Sequence, residues 1–302
     1  MKLYAPKYYK DFKCIADKCT HSCCIGWEID IDESTLEKYN SLECEYGKKI
    51  RESIEISDTP HFILRKNERC PHLNKRGLCE IITNVGNDYL CHICREHPRF
   101  YNYTNYGKEV GLGMSCEEAC RIILSSDDYC ETIELEDINE ELEVCDFDAI
   151  KIRKFIYSVI RSRSIPYEEK LDALYELTAT SPEILEDSEW QAILSQLEYL
   201  DESHRKMFLN YSSSYETPRE LELYLERALA YFIYRHCSDA CDEADFYPRL
   251  GFAMFCERLL CSICHDPADI FSCARIISEE LEYSQDNTER IVDEFLTFFE
   301  KR

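Results

Sequence analysis

Glycine and proline are scarce in this chain, 8 and 9 of 302 residues. A turn-rich all-β sandwich or barrel uses both freely, so the scarcity favours helices. No run approaches the roughly eighteen apolar residues of a membrane-spanning helix. The first residues, Met1-Lys2-Leu3-Tyr4-Ala5-Pro6-Lys7, hold no apolar stretch and no small-residue cleavage site, so neither a leader nor an anchor is expected. Basic side chains are outnumbered, 35 Lys and Arg against 60 Asp and Glu, which leaves a net charge of −25. That sign repels nucleic acid and anionic lipid, and neither is expected as a partner. No phosphate-binding glycine loop and no Ser/His/Asp order is present.

The charge is uneven. Residues 1–125 hold 18 basic and 19 acidic side chains, and residues 126–302 the remaining 17 and 41, so balances of −1 and −24 meet near Ser125-Ser126-Asp127-Asp128. Such a step suggests two units. Trp27–Asp32 alternates apolar and polar as a half-exposed strand does, Phe62-Ile63-Leu64 is a second candidate strand and Glu109–Met114 a third. A helix is expected from Ser34 to Tyr39, and another from Cys116 to Leu124 with Ser115 as its cap. From about Asp146 onward the spacing is helical throughout: Ile150, Ile152, Phe155, Ile156 and Ile160; Leu171, Leu174 and Leu177; Ile193, Leu194 and Leu197. Long helices are expected over Leu221–His236, Arg249–Cys264, Ala268–Tyr283 and Thr288–Phe299. The expected fold is mainly α, with a cysteine-rich α+β metal-binding domain over 1–125 followed by an acidic all-helical domain over 126–302.

What the chain has in excess is cysteine, 19 residues. An odd number, no leader and a length far above that of disulfide scaffolds place it in the reducing cytoplasm, with thiolates free for metal. Cys14, Cys19, Cys23 and Cys24 lie within eleven residues, a spacing that matches neither a zinc-knuckle pair nor the cysteine triplet of radical enzymes. Adjacent Cys23 and Cys24 point to different sides of an extended chain, so one metal does not readily take both. Cys70, Cys79, Cys94 and Cys116 are the expected completion. The turn Asn74-Lys75-Arg76-Gly77 lies between Cys70 and Cys79 and predicts a hairpin-like loop presenting both sulfurs to one place. Cys116, in the first turn of a helix, would have its thiolate favoured by the dipole. Cys91 pairs with Cys94 only as a weak C-x(2)-C, and Cys237, Cys241, Cys256, Cys261, Cys264 and Cys273 are expected to pack as small hydrophobes. Gly111-Leu112-Gly113 reads as a strand end, not a nucleotide loop.

The run Phe12-Lys13-Cys14, Cys19, Cys23-Cys24-x-Gly26-Trp27, Cys70-Pro71-x-Leu73, Leu78-Cys79-x-Ile81, Cys94, Pro98-Arg99 and Ser115-Cys116-x-Glu118-Ala119 resembles the flagellin lysine-N-methylase family, and is similar to the broader group of cysteine-rich zinc- or iron-chelating domains. The resemblance is dense over 1–125 and thin through Tyr231-Phe232-Ile233-Tyr234-Arg235 and Glu282-Tyr283-Ser284-x-x-Asn287. His97 stands where an aromatic usually precedes Pro-Arg. The resemblance implies methylation of lysine on flagellin or another surface protein, S-adenosylmethionine as methyl donor, and a 4Fe–4S cluster, with zinc as the alternative metal. The expected ligands are drawn from Cys14, Cys19, Cys23, Cys24, Cys70, Cys79, Cys94 and Cys116. Under that reading Tyr101, Tyr103 and Tyr106 could wall a sulfonium, and the acidic half could attract a lysine-bearing segment. The rival reading is a non-catalytic zinc- or iron-chelating or interaction protein.

Overall fold

The computed structural model describes residues 1–141, 145–214 and 216–301. It is mainly α, 53% helical with a small sheet, and it divides into two compact units, Lys13–Arg99 and the discontinuous Met1–Phe12 with Phe100–Arg302. The 125/126 step in charge therefore falls inside one unit.

The chain begins with strand β1 (Lys2–Pro6), which belongs to the larger unit. The smaller unit contains α1 (Glu33–Ser41), α2 (Glu45–Arg51), the short strands β2 (Ile54–Glu55) and β3 (His61–Phe62), α3 (Glu80–Asn84) and α4 (His92–Glu96). Asp32 caps α1, its carboxylate accepting from the Thr35 amide at 3.0 Å. The alternation over Trp27–Asp32 has the expected burial, with Ile29 and Ile31 inward. Its pairing is only local, since the Ile31 amide donates to the Pro60 carbonyl and the Phe62 amide to the Ile29 carbonyl. These elements enclose a small core of Ile29, Ile31, Tyr39, Ile50, Phe62, Leu73 and Ile81.

From Phe100 the larger unit continues with β4 (Arg99–Thr104), whose first residue closes the smaller unit, then β5 (Gly107–Leu112), α5 (Glu117–Ser125) and β6 (Thr132–Asp137). The sheet runs β4-β5-β1-β6, with β1 parallel to β5 and antiparallel to β6. Strand β6 corrects the expectation of an all-helical second half. Its residues Thr132–Asp137 alternate between exposed and half-buried, and they form a strand because β1 supplies a ladder from the far end of the sequence.

Helices α6 (Ala149–Ile160), α7 (Tyr167–Thr178), α8 (Asp187–Gln196), α9 (Glu202–Phe208), α10 (Glu222–Cys237), α11 (Glu243–Ile263), α12 (Ile270–Ile277) and α13 (Gln285–Glu300) follow, with a π-helical turn, Ser278–Glu282, after α12. Helix α11 is the centre, packed against α10, α12 and α13. Trp190 is fully buried against Phe255 and Phe295, its indole N–H donating to the Pro182 carbonyl at 2.7 Å. The stripes read from spacing largely face inward, except that Phe155 is 53% exposed and the Leu177 side chain lies outside the described residues. Buried ion pairs cross the unit. Arg153 on α6 grips both oxygens of Glu109 on β5 at 2.6 Å, and Glu226 on α10 takes Lys170 and Arg163. Among the described residues no helix is long and apolar enough to cross a membrane.

Candidate metal centre

The core of the Lys13–Arg99 unit is lined with sulfur. Cys70 and Cys91 are buried in it, and Cys24, Cys79 and Cys94 pack against it. Each arrives by a separate local device. The Cys24 carbonyl accepts from the Cys70 amide at 2.9 Å, and Gly26, at a positive φ of 86° that L side chains avoid, turns the chain so that its amide reaches the Glu68 carbonyl. Between Cys70 and Cys79 the expected hairpin forms: Leu73 bridges Cys79, and the Asn74 side chain accepts from the Arg76 and Leu78 amides at 2.8 and 3.1 Å. Cys79 stands at the start of α3, and Cys91 at the start of α4 one turn before Cys94. Asp32 ties α4 to α1 by accepting the His92 amide at 2.8 Å.

Polar neighbours hold the pocket's shape. Tyr39 donates to the Tyr89 carbonyl at 2.7 Å, and its hydroxyl lies 3.5 Å from the Cys91 sulfur. His72, fully buried, is held between the Tyr46 and Ser53 hydroxyls at 2.9 Å each. Burial pushes its pKa down to about 4, so the ring is neutral at ordinary pH.

The thiols act on one another. Cys24 is held down to about 7, chiefly by a hydrogen bond from Cys23 and against the effect of burial, with Ser22 and Arg69 helping. Cys91 is lowered chiefly by its hydrogen bond with Cys94, and Tyr39 adds to this. Burial pushes Cys70 up to about 12 and also raises Cys79, while Cys94 is raised first by its bond to Cys91 and then by burial. Cys24, Cys79 and Cys91 each bear on Cys70, and Cys24 and Cys70 on Cys94. Thiols that act on one another in this way would repel if ionised together, and a bound cation would offset that repulsion.

Among the described residues, no group of three or more His, Cys, Asp or Glu side chains is placed to hold a metal ion directly. The thiols are neighbours through hydrogen bonds and charge, and a coordination shell requires their side chains to turn toward one point. The donor chemistry fits: an all-sulfur set suits a tetrahedral four-thiolate zinc or an iron–sulfur cluster.

Of the eight cysteines singled out in the sequence, Cys24, Cys70, Cys79 and Cys94 are brought together, and Cys23 bonds to Cys24. Cys14 is exposed, and Cys19 donates to the His21 carbonyl at 2.8 Å. Cys116 belongs to the other unit, at the cap of α5 and not inside its first turn, and packs against that unit's core. Cys91, passed over in the sequence, is fully buried among the gathered thiols. Its C-x(2)-C spacing to Cys94 at the head of a short helix is the signal that identifies it.

The aromatic trio does not form a vacant wall. Tyr101 and Tyr103 hold the Lys108 ammonium 4.8 Å from each ring centre, and Tyr106 donates to Asp148 at 2.5 Å. Gly111 and Gly113 serve packing: a Cβ on the first would strike the Phe100 ring, and one on the second the Tyr283 hydroxyl.

Comparison with known proteins gives partial matches. Over 138 residues, 41% of this chain, it is 28% identical to the flagellar biosynthetic protein FliU of Salmonella muenchen, covering 77% of that protein. It is equally identical, over the same share of its length, to the lysine-N-methylases of Salmonella choleraesuis and Salmonella typhimurium, of which the match covers 32%. The chain thus spans about a third of the length of those two methylases. No family model matches the chain, and no solved structure matches it. What the comparisons establish is a distant relationship, over part of the chain, to proteins named lysine-N-methylase and FliU.

Proposed function

We propose that this protein is a protein-lysine N-methyltransferase that takes its methyl group from S-adenosylmethionine and acts on flagellin or another lysine-bearing surface protein. Under this reading it works in a reducing cytoplasm and holds a 4Fe–4S cluster with Cys91 and three of Cys24, Cys70, Cys79 and Cys94. The observation that carries the reading is the convergence of five thiols from three separate loops on one small core, in a chain distantly related to lysine-N-methylases.

A bound cluster would supply a one-electron redox couple and a rigid cross-link between the loops that carry the thiols. The chain's own residues prepare for it: Asp32 fixes the start of α4, Tyr39 meets Cys91, and the Asn74 turn sets Cys79 opposite Leu73. Methyl transfer itself is an in-line displacement. The amine lone pair forms the new N–C bond, the S–C bond breaks with its electrons returning to sulfur, and the proton lost from nitrogen needs an acceptor.

The test is incubation of the anaerobically purified protein with methyl-labelled S-adenosylmethionine and flagellin, followed by analysis for ε-methyl-lysine. The expected result is label on lysine. A metal-loaded protein that leaves flagellin unlabelled would instead favour a non-catalytic zinc- or iron-chelating protein, a reading that the same thiols support because structural metals cross-link loops of this kind.

A further inference from the structure

Tyr231–Arg235 and Glu282–Asn287, two segments with no role so far, meet inside the larger unit. Glu282 ends the π-helical turn, and turns of that kind recur at functional sites. Its carboxylate is fully buried: one oxygen accepts from the Tyr231 hydroxyl at 2.9 Å, and the other from His236 Nε2 at 2.6 Å with Arg235 Nε at 3.3 Å. The Arg235 guanidinium lies between the Phe100 and Tyr283 rings, 4.9 and 4.8 Å from their centres. The missing side chain of Gly113 leaves room there, since a Cβ would come within 2.8 Å of Arg235.

This assembly backs a cavity of about 390 Å³, within the range of about 300–1,000 Å³ typical of small-ligand sites. Phe252 and Val292 give it an apolar wall, and Asp239, Asp245 and Glu289 line it as well. Arg249 is taken up by Asp239 at 2.8 Å and Asp245 at 2.6 Å. Four carboxylates, counting Glu282, stand against two guanidinium groups, so the cavity favours a cation. Glu282 is held ionised by Arg235 and His236 despite its burial, and His236 is kept neutral by its own burial against the pull of Glu282. With the Nε2 proton committed to Glu282, Nδ1 carries the lone pair on a ring that lines the cavity. A lone pair selects a cation that bears N–H.

We propose that this cavity binds a primary ammonium on an aliphatic arm, the chemistry of a lysine side chain, and that His236 Nδ1 accepts a hydrogen bond from it. The naming of that ligand as the methyl acceptor rests on the lysine-methylation reading.

The probe is Nα-acetyl-lysine methylamide, with Nα-acetyl-norleucine methylamide as the uncharged control, titrated into the full chain while the His236 imidazole signal is followed by NMR. The lysine probe is expected to bind and move that signal, and the norleucine probe is not. Glu289→Gln, at an exposed position, should weaken the lysine probe about two- to fivefold, and His236→Gln about tenfold or more. Equal binding of both probes, no movement of the His236 signal, or unchanged affinity in Glu289→Gln overturns the proposal whether or not His236→Gln folds. Probe binding without methyl transfer to any protein sinks the methylation reading and leaves the cation site standing. Methyl transfer that is indifferent to His236→Gln does the reverse.

Discussion

Cys91 and Cys256 are both completely buried, yet the account assigns them opposite behaviour, and replacing each with alanine separates packing from ligation. In either variant one buried sulfur is lost. The packing penalty is about 1 kcal/mol, the transfer energy of one methylene-sized group plus a small void. No orphan is created at Cys91, because Tyr39 keeps its bond to the Tyr89 carbonyl. Cys256 sits wholly within the α11 core, and burial raises its pKa well above the ordinary thiol value, so it stays protonated. In metal-free, reduced protein the two variants should therefore melt within a few degrees of each other and of the parent. Metal loading should separate them. Binding free energy at a thiolate site becomes folding free energy, on the order of 10 kcal/mol for structural zinc sites, so losing a ligand outweighs the packing loss several-fold. The assay is metal content of the purified variants together with thermal unfolding before and after chelation. Cys91→Ala should lose most of its metal and its chelator-sensitive stability, while Cys256→Ala keeps both. Equal metal loss in the two, or full retention in Cys91→Ala, would refute the reasoning.

Three further outcomes follow from the geometry. Glu109→Gln strands the buried Arg153 guanidinium and should destabilise by about 3–5 kcal/mol in denaturant titration, whereas the paired change Glu109→Leu with Arg153→Met should come close to the parent; a single variant as stable as the parent contradicts the pairing. Glu282 has a depressed pKa in the folded state, so its contribution is present above the unfolded carboxylate value of about 4.3 and is lost as pH falls through the lower folded value. Glu282→Gln should be less stable than the parent at neutral pH, with the gap narrowing in acid, and a pH-independent gap counts against this assignment. Asp32→Ala removes the α1 cap and the tie to His92, so it should cost about 1–2 kcal/mol and loosen metal retention together; loss of stability with metal retention unchanged would detach Asp32 from the centre.

What could be read from the sequence was local. The long C-terminal helices follow from their apolar spacing, and the loop between Cys70 and Cys79 follows from Asn74 and Gly77, because turn chemistry lies within a few residues. Strand β6 could not be read this way. Thr132–Asp137 is polar and acidic, and becomes a strand only because β1, some 130 residues away, offers an edge. The same distance effect hid the π-helical turn, whose buried Glu279, Glu280 and Glu282 look like solvated charges until Arg275, His204, Arg235 and His236 are placed beside them. At the thiol centre, spacing alone weighted Cys14 and Cys19 with Cys24 because they are close in sequence. Position in the core instead favours Cys91, which the Tyr39 hydroxyl and the start of α4 draw inward.

The most direct measurement is transfer of labelled methyl groups from S-adenosylmethionine to lysines of isolated flagellin, made with anaerobically prepared protein whose iron and sulfide have been determined. The account predicts label at lysine Nε, iron and sulfide in equal amounts, and loss of both iron and label when Cys70 and Cys91 are replaced together. Unlabelled flagellin from a fully metal-loaded protein, or undiminished label from the double variant, contradicts it.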